Sequence, residues 1–327
     1  MKIIEPSATL LEHNIHPYKF IERVGRVCYK SEDKITENSA VKMVSSLIKS
    51  RHLAILEHEH IYLEMSGPFM YAFLKDMDFY NERLTFFNIT NERGIHVFSG
   101  SFRSFYELFE GCLVSNTLYY IRHLLRTKYP LVFGEPDPNY TSSYTCGDCR
   151  EMSREDFIFK YADTGNVLFK HLIHTFLFVC DRGVSHEFVR HRVAAFAQES
   201  TRFCNYSNDK FGNEITVIKP CFWDLENRID SIKYGLWKES CLHSEKEYFA
   251  LLNLGAQPQQ ARTVLPNSLK TELVITATEE EWQHIVDLRY IGTTGAPHPQ
   301  MKEVMGLALP YLLEESCGKI VAVKGEQ

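Results

Sequence analysis

The chain has no apolar run of about eighteen residues or more, so no membrane-spanning helix is expected from it. No secretory leader is expected either, since Lys2 and Glu5 stand among its first residues, and a cytoplasmic location is expected. It has no surplus of positive charge, since 36 Lys and Arg face 42 Asp and Glu for a net −6. That balance excludes a general affinity for nucleic acid or for membrane surfaces. Regular cysteine spacing is missing as well, and the nine cysteines read as reduced thiols rather than a disulfide framework. Cys146 and Cys149 form a C-x-x-C pair, but no second pair or nearby H-x-x-H completes a zinc set, so no metal is expected.

What is present is a body that is 44% hydrophobic and 24% charged, enough to bury a sizeable core in 327 residues. Into it is set a dense basic cluster: Arg190-His191-Arg192, then Ser200 and Arg202. Adjacent cations repel, and packing alone gives no reason to gather them beside the apolar run Val193 to Ala197. Guanidinium forks suit phosphate oxygens, and Ser200 and Arg202 share a face if their segment is extended. A basic site within an acidic protein points to a small anionic ligand.

The triplet, its seven-residue spacing to Ser200, the preceding Cys180-Asp181-Arg182-Gly183-Val184-Ser185-His186-Glu187 and the following Gln198-Glu199-Ser200-Thr201-Arg202-Phe203 together resemble the flavin-dependent thymidylate synthases. Arg23 to Tyr29, Ala261-Arg262-x-x-Leu265-Pro266 and His298-Pro299-Gln300-Met301 extend the resemblance. It implies an α+β fold, a mostly antiparallel sheet with packed helices, as one domain over 1–327. An aromatic-rich, partly helical insertion is expected at about 67–170, where compact relatives pass almost directly to the helix carrying the triplet.

The implied reaction is methylation of dUMP to dTMP with FAD as cofactor and methylenetetrahydrofolate and NADPH as co-substrates. A homotetramer with shared active sites is implied too. By resemblance Arg190, His191 and Arg192 bind flavin and substrate, and Glu187 occupies the place of a polar residue that contacts the nucleotide. Gln198 and Glu199 reach pyrimidine and flavin, while Ser200, Arg202 and Arg262 hold the nucleotide. Arg289 contacts the uracil and favours the ionised N3 form that activates C5. His52, Glu57 and His58 face flavin and nucleotide. By residue type alone Glu57, His58 and His60 also read as metal ligands, although a helix-to-strand turn would part His58 from His60. No Pro-Cys-His string of the cysteine-nucleophile synthases occurs.

Four positions depart from the family. Ala195 and Ala197 stand where many relatives have Ser and Asn, and Thr278 and His284 replace Asn residues used toward flavin. Two other readings therefore stay open: a related flavin enzyme acting on another pyrimidine nucleotide, and a nucleotide-binding homologue without chemistry.

Local patterns predict the elements. Ser39 reads as the cap of a helix to about Arg51, with Val41, Val44, Leu47 and Ile48 inward. Ile61 to Met65 alternates as a strand, Phe69 to Leu74 and Phe105 to Leu125 look helical, and 134–153 reads as an exposed loop. His174 to Cys180 reads as a strand leading to a short helix capped by Ser185, with Glu187, Arg190 and His191 on one side, so that Glu187 offers a carboxylate to orient the basic pair. Strands over 214–218 and 269–277 flank a long helix at about 225–254. Thr278 and Glu281 form a capping box, Arg289 shares the apolar face of Trp282, Ile285 and Val286 and so needs an anionic or carbonyl partner, and a last helix covers 301–313. The tail after Gly318 is expected to be an edge strand or frayed.

Overall fold

The computed structural model of the chain describes residues 1–77, 85–92, 94–111, 115–316 and 319–322. The predicted run from Phe105 to Leu125 crosses 112–114, and the expected tail strand includes 323–327. Those stretches lie outside the described residues.

In chain order the first half holds β1 (Lys2–Ile4), β2 (Ser7–Leu10), α1 (Pro17–Tyr29), α2 (Ser39–Lys49), β3 (His60–Met65), α3 (Gly67–Met77), β4 (Phe87–Glu92), β5 (Ile95–Ser101), α4 (Phe102–Gly111), α5 (Asn116–Lys128) and α6 (Pro130–Phe133). The second half holds β6 (Cys149–Met152), α7 (Arg154–Tyr161), α8 (Gly165–His171), β7 (Ile173–Asp181), α9 (Arg182–Phe188), β8 (Ala195–Gln198), β9 (Thr216–Ile218), α10 (Arg228–Asn253), α11 (Pro258–Ala261), β10 (Lys270–Thr278), α12 (Glu279–Val286) and α13 (Pro299–Glu315). Two compact units result: Met1–Leu11, Gly25–Glu32 and Thr175–Gln327 form one, and Glu12–Val24 with Asp33–His174 the other. The fold is α+β, and all but one of the strand pairings with an assigned direction are antiparallel.

In the first unit the sheet order is β2-β7-β10-β8, with Leu10 opposite Phe176 and Ala195 opposite Thr276. Strand β10 is buried along most of its length instead of alternating, as a strand covered on both faces should be. Phe176 and Phe178 of β7 carry the packing of α9, α12 and α13 through Phe188, Trp282, Ile285, Met301 and Met305, all fully buried. Strand β1 pairs in parallel with β9, Lys2 opposite Thr216.

The other unit is built on the antiparallel sheet β4-β5-β3-β6. Its aromatic wealth becomes an interior: Phe98 lies 4.7 Å from Phe73, 4.6 Å from Phe87 and 5.8 Å from Phe105, ring to ring. Edge and stacked rings of this kind add to the burial of their large apolar area. Strand β3 takes β5 and β6 on its two sides, so the strand leading out of Glu57 and His58 pairs with neighbours from the 67–170 segment.

Several local expectations are corrected. Asn38, not Ser39, holds the cap position of α2, and the Ser39 hydroxyl instead accepts from Thr36 N and donates to Glu22. The helix buries Ala40, Val44 and Leu47, which leaves Val41 53% exposed. Asp181, not Ser185, caps α9: its Oδ1 accepts from Val184 N at 2.7 Å, while Ser185 bonds back to the Arg182 carbonyl. Thr278 does cap α12 by accepting from Glu281 N, but the Glu281 carboxylate is turned toward His191 rather than back to the cap. The predicted loop at 134–153 ends early, because Cys149–Met152 pairs as β6. At the C-terminus residues 319–322 form no strand; Val321 exchanges two hydrogen bonds with the Gln283 amide.

Candidate active site

Arg289 is the centre of a side-chain constellation in the first unit. It lies in a widened π turn, Asp287–Ile291, that continues α12 and closes on Gly292 at φ 78°, a left-handed conformation that favours glycine. Its guanidinium is partly buried there. Nε donates to His191 Nε2 at 3.0 Å, Nη1 to Glu187 Oε2 at 3.1 Å and Nη2 to the Glu187 carbonyl at 3.1 Å. The expected anionic and carbonyl partners are thus one residue, Glu187, at the end of α9.

His191 sits in the turn after α9 and is 4% exposed. Its Nε2 accepts from Arg289, so the ring proton belongs on Nδ1, which faces Glu281 Oε1 at 3.3 Å. A continuous chain Glu281–His191–Arg289–Glu187 therefore fixes the guanidinium from two sides. His284, one turn along α12, presents its exposed ring edge-on to His191 at 5.6 Å between centroids. An arginine carries five N–H donors. Three are used, and the other two have no partner among the described residues.

The expectation that Glu187 orients Arg190 is corrected: α9 stops at Phe188, Arg190 is exposed, and the carboxylate goes to Arg289. Arg190, Arg192 and Arg202 are all exposed and form no ion pair among the described residues. Ser200 and Arg202 do not lie on an extended strand. Strand β8 ends at Gln198, and Phe203 N and Cys204 N both bond back to the Ser200 carbonyl, making a tight turn. The Ser200 hydroxyl accepts from Arg202 N, and Ser200 N is tied to the Cys28 carbonyl. Arg262 joins this turn by donating to Thr201 Oγ1 at 3.2 Å.

Gln198 donates its amide to Ser185 Oγ and Thr271 Oγ1; the sequence marks Ser185 only as a helix cap and does not mark Thr271. Glu199 is buried, with its carboxylate taken by Lys270 at 2.8 Å and Tyr206 at 3.4 Å. Lys270 and Lys30 both hold Glu272, so Glu199 belongs to an internal ladder of charge. Ala195 and Ala197 are also buried, at 7% and 3% exposure, and their departures from the family lie on the inward face of β8. Thr278 acts as the cap of α12.

His52, Glu57 and His58 belong to the other unit. His52 is exposed at the start of a short 3-10 turn, His58 is fully buried at its end, and Glu57 pairs with Arg103 at 2.6 Å. That unit also contains a cavity of about 310 Å³ lined in part by His13, Glu59, His60 and Arg154. Burial pushes the Glu59 carboxyl up to about 8 and holds His60 down to about 3. Among the residues around Arg289, sequence reasoning had named Glu281 only as a capping partner. Its i, i+3 spacing to His284 was the available signal.

An α+β protein with an anchored arginine and a neighbouring exposed basic turn is the class that fold and site define. A family model described as thymidylate synthase complementing protein matches residues 139–312, more than half of the chain. The chain belongs to that family. Among relatives, a flavin-dependent thymidylate synthase of Pyrococcus furiosus is 27% identical over 110 residues, 34% of this chain and 43% of that protein. One from Sulfurisphaera tokodaii is 34% identical over 121 residues, 37% of this chain and 43% of the relative. One from Corynebacterium aurimucosum is 27% identical over 180 residues, 51% of this chain and 69% of the relative. The chain thus spans less than half the length of the first two. Among solved structures, a UMP/dUMP methylase from Streptomyces cacaoi bound with 5-Br dUMP aligns over 98% of this chain and 96% of its own, at 12% identity and a TM-score of 0.43. Among the described residues no helix is long and apolar enough to cross a membrane.

Proposed function

We propose that the chain methylates dUMP to dTMP with FAD as cofactor, methylenetetrahydrofolate as one-carbon donor and NADPH as reductant, as a homotetramer in the cytoplasm. We read 1–327 as one catalytic domain elaborated by the segment at about 67–170. The observation that carries the reading is the anchored Arg289. A guanidinium held at three points, with two N–H donors left, is preorganised to receive negative charge without reorganising at the moment of reaction.

Directed at a pyrimidine carbonyl, those donors stabilise the anionic ring and so raise electron density at C5. Glu281 supports this from a distance by keeping the His191 proton on Nδ1, which preserves the lone pair that Arg289 needs. Ser200, Arg202 and Arg262 are gathered at one turn and suit the nucleotide phosphate. The exposed guanidiniums of Arg190 and Arg192, without an ion pair among the described residues, suit the pyrophosphate of a dinucleotide, so this donor set fits FAD. When bound, FAD supplies the redox chemistry that none of these side chains can perform. The residues bind, orient and polarise.

The test is product analysis. Enzyme supplied with FAD, NADPH, methylenetetrahydrofolate and dUMP should release dTMP detectable by mass spectrometry. Recovery of unchanged dUMP from a flavin-loaded protein would remove the proposal, and a product of different mass would move it to another pyrimidine modification.

A further inference from the structure

We propose that His191, Glu281 and His284 form a site for a divalent transition-metal ion, zinc above all, and that its occupancy competes with the anchoring of Arg289. Nothing in the sequence points to a metal here, because the C-x-x-C and His-x-His patterns that suggest one lie elsewhere. The structure brings one candidate ligand atom from each of the three residues to within 4.8 Å of one another. Glu281 and His284 stand at i, i+3 on α12 and so share a face, and His191 meets them from the turn after α9.

Two imidazoles and one carboxylate are a donor set for zinc and its neighbours, not for magnesium or calcium, which prefer all-oxygen shells. Bond lengths of about 2.0–2.2 Å require the three donors to close in slightly. His284 is exposed and free to turn inward, while His191 Nδ1 and Glu281 Oε1 are already 3.3 Å apart. Three protein ligands leave a further position open to water.

The consequence for Arg289 follows from the two nitrogens of His191. Nδ1 faces Glu281 Oε1 at 3.3 Å and is the nitrogen assigned to the ion, because Nε2 already accepts from Arg289 Nε. Coordination through Nδ1 needs its lone pair, so the ring proton moves to Nε2. A protonated Nε2 cannot accept from Arg289, and the guanidinium keeps only its two bonds to Glu187. Metal binding and three-point anchoring are therefore mutually exclusive, and each must weaken the other equally.

Binding is measured on the chelator-treated full chain without flavin or nucleotide, so the outcome is independent of the proposed reaction. Calorimetry with zinc should give one ion per chain, and cobalt should give the visible absorption of a low-symmetry site. Glu281→Gln and His284→Asn should each weaken zinc at least about tenfold, while Cys146→Ser and Cys221→Ser, which remove exposed thiols, should not. On the unmodified protein, nitrogen NMR of the His191 ring should show the proton on Nδ1 before zinc and on Nε2 after it. This readout does not depend on any variant folding. Absence of stoichiometric binding, equal binding by all variants, dependence on the thiols, or an unchanged His191 tautomer would each overturn the proposal.

Discussion

Arg289 shows how one side chain can be costly and useful at once. Holding a guanidinium that is only 21% exposed is unfavourable unless it is matched, and the match comes from Glu187 and from an imidazole whose tautomer is itself set by Glu281. Replacing Arg289 by alanine should lower kcat/KM for dTMP formation by about 10²–10³-fold and leave the far-ultraviolet circular dichroism unchanged. Unchanged turnover would contradict the role assigned to it. Glu187→Gln keeps a hydrogen-bond acceptor but removes the charge, and a loss of about tenfold in the same assay is expected. Half of this arrangement was legible in the sequence. The spacing Trp282, Ile285, Val286, Arg289 announced an arginine in need of a partner, but the partner's identity was not available. Glu187 lies 102 residues away along the chain, and only the stacking of α9 and α12 on one sheet brings it near.

At the scale of elements, caps and turns decide where the functional side chains point. Asp181 closes the first turn of α9 through Val184 N and holds Gln300 at the start of α13 through its other oxygen, at 2.8 Å. Asp181→Ala should destabilise the protein by about 1–2 kcal/mol, measured by denaturant unfolding, and an unchanged midpoint would show that the cap contributes nothing. The existence of β3, β7, β10, α10 and α13 was readable, from the alternation of β3, the apolar runs of β7 and β10, the glycine that ends α10 and the proline that opens α13. Cap assignments failed at Ser39 and Ser185 because an equally good capping residue, Asn38 or Asp181, stood just upstream. The turn at Ser200, closed by Phe203 N and Cys204 N on the Ser200 carbonyl, has no glycine or proline to announce it, and its tether to the Cys28 carbonyl is invisible in local sequence.

For the whole molecule, the buried titratable groups of the Glu12–Val24 and Asp33–His174 unit make stability depend on pH. Glu59, beside His13, His60 and Arg154, is held up to about 8 in the folded protein against 4.5 unfolded. Its contribution is therefore fully present below about 4.5 and is lost as pH rises through about 8. His60 and His171, held down to about 3, act in the opposite sense and cost stability as pH falls below 6.5. Thermal midpoints should pass through a maximum between these limits, and Glu59→Gln should flatten the alkaline side. An alkaline limb as steep in the variant would show that Glu59 is not its source. The sequence disclosed the aromatic density behind this unit but not the depth of its histidines, because burial is a property of the assembled sheet.

The most direct test of the central claim is anaerobic. Protein loaded with FAD receives NADPH with and without dUMP, and bleaching of the visible flavin band is followed. The account predicts that dUMP accelerates bleaching in the unmodified protein and loses that effect in Arg289→Ala. A protein that holds no flavin, or that reduces it at the same rate whether or not dUMP is present, would contradict it.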